Sequence, residues 1–276
     1  MPENLLMEIR RLQNSEISKL INSRYLEFKS FASRPEEEWF SELCLCLLTA
    51  NSSAQMGIKV QEALGFDGFY NLPQKKLSEK LRSLGYRFYN KRAEYIAEAR
   101  KHFGIKKKLH DVGIIASGVT GEEGKTATSN IATAGSGLGA VAPALESAGK
   151  TSAGKIVVWP QEPDAGRIGI GQFVIGQIGA DRAKRNYLFE NVKGLGMKES
   201  SHFLRNTGHD NVAILDRHIL RTMHEQGIIP EAPNHLSPSK YLEYELALDP
   251  IAAEAGLNHS LLDLYLWYMK TGKVLK

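Results

Sequence analysis

Cysteine is almost absent from this sequence of 276 residues, which contains only Cys44 and Cys46. The two thiols lie two positions apart in an apolar stretch with helical periodicity, so they point in different directions. They are unsuited to a structural disulfide or a zinc site, and we expect both to be small core residues. Four cysteines for an iron–sulfur cluster are likewise not available.

Long hydrophobic runs are also missing, and none approaches the length that crosses a membrane. The residues after Met1 do not show the pattern of a signal peptide. We therefore expect an intracellular protein. Apolar residues make up 42% of the chain and charged residues 24%, which is ordinary for a globular protein of one or two domains.

Charge of one sign is not concentrated enough to identify a partner. The net charge of +4 is mildly basic. Such a balance fits an enzyme that binds DNA, but it also fits many metabolic enzymes. Charge therefore supports a nucleic-acid function without deciding it.

Apolar residues recur at helical spacing through most of the chain, which predicts a mainly α protein. The helix that contains Leu43–Leu48 is almost wholly apolar there and should be buried on most sides. The predicted helices lie at about 4–30, 35–49, 55–64, 75–84, 88–103, 182–191, 198–208, 217–226, 238–247 and 258–271.

Residues 113–180 differ from the rest in composition. They hold more than half of the glycines, many small residues and almost no aromatic side chains. Two pieces, Lys155–Pro160 and Arg167–Ile178, have the character of strands. The segment is too rich in Gly, Ala and Ser to define a core of its own. We interpret it as an insertion, either flexible or a small segment containing β structure, and derive no function for it.

The most informative stretch is a hairpin, Gly194-Leu-Gly196, between two helical patterns. Two glycines around one apolar residue permit a turn whose backbone N–H groups, with the following helix N-terminus, can bind a phosphate. Lys198 begins the second helix, and Asp216 lies 18 residues later, just before another helix. Taken singly, these features indicate only an interhelical turn, a solvated lysine and an N-cap. Together they indicate chemistry on a nucleic-acid sugar.

The combination closely resembles the helix-hairpin-helix DNA glycosylase superfamily, and within it the archaeal-type (type 2) 8-oxoguanine DNA glycosylase/lyases. The resemblance covers about 1–110 and 182–276. The relatives join these parts by a short connection, where this chain has a long segment. The motifs that carry the resemblance are Glu38-Trp-Phe-Ser-Glu-Leu-Cys44, Leu48-Thr-Ala-Asn51, Arg87-Phe-Tyr-Asn-Lys-Arg-Ala-Glu-Tyr95, Val192-Lys-Gly-Leu-Gly-Met-Lys-Glu199, Ser201-His-Phe-Leu-Arg-Asn206, Asp216-Arg-His-Ile-Leu-Arg221 and Thr271-Gly-Lys-Val-Leu-Lys276.

The resemblance implies a fold and a domain organisation. The fold is mainly α, the two-lobed helix-hairpin-helix DNA glycosylase fold with a Gly/Ala-rich insertion of possible β character. Residues 1–112 and 181–276 together would form the helical core, with the helix-hairpin-helix at about 182–208. Residues 113–180 would be the atypical insertion.

The resemblance also implies the chemistry. Lys198 would attack the sugar, expel 8-oxoguanine as a Schiff base forms, and allow β-elimination at the abasic site. Asp216 would stabilise the positive charge on the sugar. No cofactor would be required. The partner would be double-stranded DNA containing 8-oxoguanine, bound by a monomer.

The remaining site residues follow from the same resemblance. Phe88 and Trp267 would enclose the flipped purine, with Lys276 at the C-terminus closing the pocket. Asn51 would fill the space that the flipped nucleotide leaves. The hairpin residues Gly194, Leu195 and Gly196 would hold the DNA backbone. No metal site is expected from side chains, although a monovalent cation could lie at the backbone carbonyls of Glu190, Val192 and Leu195.

Three rival readings remain open from the sequence. A related glycosylase of other base specificity, such as an endonuclease III-like or adenine-specific enzyme, usually carries an iron–sulfur cluster, which the cysteine count disfavours. A monofunctional alkylbase glycosylase would lack the lysine at position 198. A non-catalytic helix-hairpin-helix DNA-binding protein would explain the hairpin but leave Lys198 and Asp216 as coincidence.

Overall fold

The computed structural model describes residues 2–117 and 170–274. This part of the chain contains α-helices, one short 3-10 helix (Arg100–His102) and no strand, and the mainly α fold is the one that the sequence predicts. None of the described helices is long and apolar enough to cross a membrane. The helices are α1 (Glu3–Gln13), α2 (Ile17–Phe31), α3 (Glu36–Thr49), α4 (Ala54–Asn71), α5 (Gln74–Ser83), α6 (Tyr89–Ala99), α7 (Ile105–Ser117), α8 (Ile170–Asn191), α9 (Met197–Asn206), α10 (Arg217–Glu225), α11 (Pro238–Ala255) and α12 (His259–Thr271).

Local side-chain hydrogen bonds explain one difference from the predicted helices. The pattern predicts a single helix over about 4–30, whereas the structure has two, α1 and α2. Asn14 donates to the Arg10 carbonyl and Ser15 to the Leu12 carbonyl, at 3.0 and 2.7 Å. Such bonds satisfy backbone groups at a helix end and allow the chain to turn.

Two other boundaries differ because packing continues beyond the predicted ends. α4 extends past residue 64, but its backbone breaks at Gly65, where φ is +58°. α11 continues through Pro250, and Ile251 and Ala252 in its last turns are buried in the core. Burial of the turns that follow these breaks outweighs the weak local helix preference.

The structure corrects the expectation of strand character in Arg167–Ile178, because α8 begins at Ile170. Helix α7, which the apolar spacing did not predict, packs along α8. Tertiary packing of this pair outweighs the strand preference of the β-branched residues in this stretch. The other predicted strand, Lys155–Pro160, lies outside the described residues.

The compositional boundaries at 113 and 180 fall inside α7 and α8. At one of them, Gly113 on α7 faces the end of the Lys184 side chain on α8, which would lie 2.5 Å from an added Cβ. At the other, Ala180 is buried. The helical core therefore extends into both ends of the segment that the composition sets apart, to Ser117 and from Ile170.

Buried apolar side chains form two cores. One combines the N-terminal helices α1 and α2 with α10, α11 and α12, and Leu5 and Leu262 are among its members. The other is built around α3, whose residues from Leu43 to Leu48 are all buried as predicted. Cys44 and Cys46 are both buried in this second core, as the sequence predicts. The two-lobed architecture expected from the sequence is thus present.

Helix α9 connects the two cores. Met197 at its start packs in the first core, and Phe203 and Leu204 pack in the second. Eight of its ten residues are buried, and the remaining two are Lys198 and Glu199. The helix that carries the candidate lysine is therefore held on nearly every side.

Ion pairs add a second connection between the lobes through α8 and α11. Arg185 and Glu245 pair with both side chains fully buried, and Arg182 pairs with the same carboxylate at 3.1 Å. Glu245 also accepts from the Ala213 N–H at 2.8 Å. Burial alone would raise the pKa of Glu245, but the two guanidinium groups outweigh it and lower the pKa. The carboxylate therefore stays charged and fixes the segment that leads to Asp216.

Candidate active site

The hairpin between α8 and α9 requires glycine at one position. Gly194 has a φ of +95°, and a Cβ there would lie 2.4 Å from the ring of Tyr95 on α6. The Leu195 N–H donates to the Val192 carbonyl at 3.1 Å, and the Leu195 side chain is buried. The hairpin is thus a tight turn packed against α6.

The N-terminus of α9 is open to a ligand. Its N-cap residue is Gly196, with extended backbone and no side-chain hydrogen bond to the first turn. The first N–H groups of a helix have no intrahelical partner, and the helix dipole favours an anion near them. Lys198 stands in this first turn with its side chain 31% exposed, and its Nζ lies 3.1 Å from a Glu199 carboxylate oxygen.

Asp216 is the N-cap of α10, and its geometry is well defined. Its Oδ1 accepts from the backbone N–H groups of His218 and Ile219, at 2.8 and 2.9 Å. The preceding link is fixed by Tyr241, whose hydroxyl donates to the Ala213 carbonyl at 2.7 Å and accepts from the Leu215 N–H at 3.1 Å. The carboxylate is therefore held in one orientation while its second oxygen makes no capping bond.

One cavity of about 1370 Å³ brings these groups together. Lys198 and Asp216 both line it, as do Phe88, Trp267 and Asn51. These residues come from both lobes and from α9 between them, so the cavity lies at the junction of the two cores. Most of the predicted site residues therefore share one space.

Aromatic side chains stand on both sides of the cavity. Phe88, just before α6, is 37% exposed, and the Arg87 guanidinium lies 4.4 Å from its ring centroid. Trp267 on α12 packs edge-on against the His218 ring at a centroid distance of 5.1 Å. Phe189 on α8 also lines the cavity and is 37% exposed. The walls can therefore contact a flat apolar ligand such as a base.

The loop between α3 and α4 forms another edge of the cavity. Asn51 is the single non-glycine residue with positive φ in the described part of the chain, at +57°. Arg92 donates to the Ala50 carbonyl at 2.6 Å, and Arg87 donates to the Asn51 carbonyl at 3.3 Å. Tyr86 donates to the Leu48 carbonyl. The loop is thus held by its backbone, which leaves the exposed Asn51 side chain available to a ligand.

A buried polar chain runs from the cavity into the second lobe. Asp263 on α12 lines the cavity, and its Oδ2 accepts from Arg205 on α9 at 2.5 Å. Arg205 also donates to Asn206 Oδ1 at 2.9 and 3.1 Å. The Asn206 amide donates in turn to Glu42 on α3 at 2.6 Å. This chain ties the floor of the cavity to both lobes.

The other predicted groups lie at the hairpin or beyond the described residues. Glu190 is in the last turn of α8, and the carbonyls of Val192 and Leu195 follow in the hairpin. Carbonyls at a helix C-terminus lack intrahelical donors, which fits a monovalent cation. Within the residues described, no three His, Cys, Asp or Glu side chains are placed to hold a metal. Lys276 lies outside the described residues.

Comparison with known proteins decides the family. The family model described as 8-oxoguanine DNA glycosylase matches residues 21–122 and 170–257. This chain belongs to the 8-oxoguanine DNA glycosylase family. The family that the hairpin, Lys198 and Asp216 suggest from the sequence is therefore confirmed.

Relatives in the family match along the whole chain. The 8-oxoguanine DNA glycosylase/AP lyase of Methanocaldococcus jannaschii is 40% identical over 272 residues, which cover 99% of each chain. The protein of the same name from Thermotoga maritima is 35% identical over 273 residues, again 99% of each chain. These names agree with the glycosylase and lyase activities expected from the sequence.

Solved structures in the family confirm the fold. The crystal structure of the M. jannaschii 8-oxoguanine DNA glycosylase has a TM-score of 0.72 and covers 99% of this chain and 97% of that one. A second structure of the M. jannaschii protein, in complex with a 15mer DNA containing 8-oxoguanine, has a TM-score of 0.69 at 40% identity and covers 99% of each chain.

The structure adds residues that the sequence analysis did not select as functional. Asp263 precedes Trp267 by four positions on one helix, a spacing that places both on the same face. Arg205 lies within a stretch that resembles the family, but nothing local to it indicates a partner. The four-residue spacing from Trp267 could therefore have indicated Asp263 as a cavity residue. Its burial beside Arg205 could not be predicted from the sequence.

Proposed function

We propose that this chain excises 8-oxoguanine from double-stranded DNA with Lys198 as the nucleophile and nicks the strand by β-elimination. The observation that carries the proposal is the shared cavity, which collects an amine, a carboxylate and two aromatic side chains beside a phosphate-binding hairpin. The names of the relatives support the same pair of activities.

The damaged base enters the cavity only after it leaves the duplex, at a cost on the order of a few kcal/mol. Phe88 and Trp267 then contact the two faces of the flipped purine, since they stand on opposite lobes. Lys276, which lies outside the described residues, would close the pocket as the resemblance implies; Lys273, three positions earlier, lines the cavity. Asn51, on the fixed loop, fills the space left in the stack.

The backbone of the DNA binds at the hairpin. The open N-terminus of α9 with Gly194, Leu195 and Gly196 holds a phosphate, and a monovalent cation at the Glu190, Val192 and Leu195 carbonyls would stabilise the turn. Arg87 and Arg217 also line the cavity and add positive charge along the path of the strand. Such contacts are independent of base sequence and fix the register of the duplex.

Lys198 performs the chemistry once its amine is neutral. It attacks C1′, the bond from C1′ to the base breaks, and the sugar ring opens to an imine. Asp216, held by two backbone amides, presents a carboxylate that stabilises positive charge on the sugar as the base departs. The imine acidifies the neighbouring C2′ proton, so β-elimination can release the 3′ phosphate.

Covalent trapping with borohydride on a duplex containing 8-oxoguanine tests the nucleophile. We expect the wild-type chain to be captured and Lys198→Gln to lose both base release and capture, while duplex binding persists because the hairpin amides remain. Near-normal strand cleavage by Lys198→Gln would show that another group is the nucleophile.

Lys193 provides a matched control in the same hairpin. Its Nζ pairs with Glu94 and Glu98 at 3.2 and 3.0 Å, and it does not line the cavity. Lys193→Gln should therefore be captured at close to the wild-type rate. Duplexes with undamaged guanine or an oxidised pyrimidine, measured beside 8-oxoguanine, determine the base preference.

A further inference from the structure

Asp263 is a carboxylate that lines the same cavity as Lys198 and Asp216. Its side chain is 9% exposed, so it is nearly enclosed. It lies one helical turn before Trp267 on α12, which directs both side chains toward the same space. A buried carboxylate in the cavity that contains the candidate amine needs an explanation, because burying a charge is costly unless it is paired.

Arg205 donates a hydrogen bond to only one of the two carboxylate oxygens of Asp263. It donates to Oδ2 at 2.5 Å, and its other N–H groups donate to Asn206. Within the described part of the chain, Oδ1 accepts no hydrogen bond. The guanidinium therefore fixes the orientation of the carboxylate, and Oδ1 remains for a group in the cavity.

We propose that Asp263 accepts the proton that leaves the Lys198 ammonium before the amine attacks the sugar. The inference rests on the proposed role of Lys198 as the nucleophile. It divides the work of the two carboxylates: Asp216 is held as a helix cap and stabilises charge on the sugar, whereas Asp263 changes its protonation state.

Electrostatics supports this division. Burial raises the pKa of Asp263 to about 6, against the opposing effect of Arg205; the charge of Asp216 raises it further and that of Lys198 lowers it. Both groups are thus close enough to influence its protonation. A base whose pKa lies near the working pH is efficient in proton transfer, and carboxylates with different environments commonly divide acid and base roles.

The step balances without a further reactant. One proton moves from Lys198 Nζ to Asp263, and the neutral amine forms a bond to C1′ as the bond to the base breaks. The three protons of the ammonium end on the released base, on O4′ of the opened sugar and on the iminium nitrogen. Asp263 returns to its carboxylate form.

Other charged or titratable groups surround the amine, and one of them is closer to it. Glu199 lies 3.1 Å from Lys198 Nζ, but it folds back over the hairpin, with Oε2 only 2.9 Å from where a Cβ on Gly196 would lie. In that position the Glu199 carboxylate lies against the hairpin, and a DNA phosphate bound there would repel it. His202 on α9, His218 and Arg217 on α10 and Lys273 after α12 also line the cavity. The experiment therefore includes Glu199→Gln beside Asp263→Asn.

The test compares single-turnover borohydride capture from about pH 5 to about pH 9 on two duplexes, one with 8-oxoguanine and one with a preformed abasic site. We expect the wild-type rate to rise through about pH 6 as Asp263 ionises. Asp263→Asn should lose about 100-fold or more near neutrality on both duplexes. It should also lose this rise, because no carboxylate remains at position 263 to take up the proton. Glu199→Gln should keep the rise.

Lys270→Gln is the control on the same helix, because Lys270 pairs with Glu225 outside the cavity, and its rate should stay at the wild-type level. Asp263→Glu, which restores a carboxylic acid, should recover part of the rate and the rise near pH 6. Melting temperature and duplex affinity, measured on every variant, separate a loss of fold from a loss of chemistry.

Three outcomes would overturn the proposal. A loss of capture rate confined to the 8-oxoguanine duplex would mean that Asp263 hydrogen-bonds to the damaged base instead. An unchanged pH profile in Asp263→Asn would exclude it as the proton acceptor. An equal loss in Asp263→Asn and Asp263→Glu, with a lowered melting temperature, would assign it to structure. Failure of Lys198 as the nucleophile would appear separately, as capture of Lys198→Gln.

Discussion

At the scale of single residues, Asp216 combines two properties that substitution can separate. As a cap it needs one oxygen acceptor, which accepts from His218 and Ile219, and as a stabiliser of the sugar it needs negative charge. Asn retains the acceptor and removes the charge. We therefore expect Asp216→Asn to lose most of the excision rate with little change in melting temperature.

Asp216→Ala supplies the comparison for this prediction. It removes the cap as well as the charge, so it should cost about 1 kcal/mol of stability in addition to the rate. Thermal unfolding and single-turnover excision measured on both variants distinguish the two roles. Unfolding of Asp216→Asn at a much lower temperature would assign the residue to structure alone.

The sequence selects Lys198 and Asp216 as candidate catalytic residues but does not select Asp263, for a physical reason. The first two belong to short patterns, a glycine hairpin and a helix cap, whose chemistry is local. The role of Asp263 depends on burial beside Arg205, which lies 58 positions away in the chain. Contacts of that separation form only when two helices pack, and no spacing in one segment reports them.

At the scale of elements, the two glycines of the hairpin differ in backbone conformation and in their surroundings, so we expect their substitutions to have different effects. Gly194 has positive φ and faces the Tyr95 ring at 2.4 Å from an added Cβ, whereas Gly196 has a φ of −89° and faces only the flexible Glu199 side chain. Gly194→Ala should lower the free energy of unfolding by about 1–3 kcal/mol and weaken duplex binding.

Gly196→Ala is the matched substitution one position away. It should cost less stability, since its backbone conformation suits any residue and Glu199 can move. Chemical unfolding and duplex affinity measured on both variants check the comparison. Equal stability of the two variants would contradict the idea that Gly194 is required by the turn.

Element boundaries show where local patterns stop being informative. Apolar periodicity located most of the helices, because each buries one face and repeats it. It did not find α7 and it suggested strand character for the start of α8, since the β-branched residues there favour extended chain. These two helices are defined by packing against each other, which the local sequence does not encode.

At the scale of the whole molecule, the segment between α7 and α8 can be tested by removal. The family match stops at residue 122 and resumes at 170, although composition alone sets the boundaries at 113 and 180. We expect replacement of 118–169 by a short polar linker to preserve 8-oxoguanine excision. The change in stability should be about 1 kcal/mol or less, because loop length affects closure entropy only weakly.

A deletion of 113–180 is the informative contrast. It would remove the last turn of α7 and half of α8, including the buried Ala180, so this variant should be less stable and less soluble. Solubility, melting temperature and excision rate measured on both deletions check the boundaries. An inactive 118–169 deletion with Lys198 and Asp216 intact would make the segment a working part of the enzyme.

The composition of the two cores has a consequence for the order in which the chain can fold during synthesis. The core containing Leu5 and Ile9 draws its other members from the rest of α1, from α2 and from Met197 onward. The N-terminal helices therefore leave the ribosome first. Their apolar faces stay exposed until the last third of the chain has been synthesised. The lobe around α3 can assemble earlier. The cavity carboxylates Asp216 and Asp263 are synthesised later, so the cavity is complete only after the two lobes have packed together.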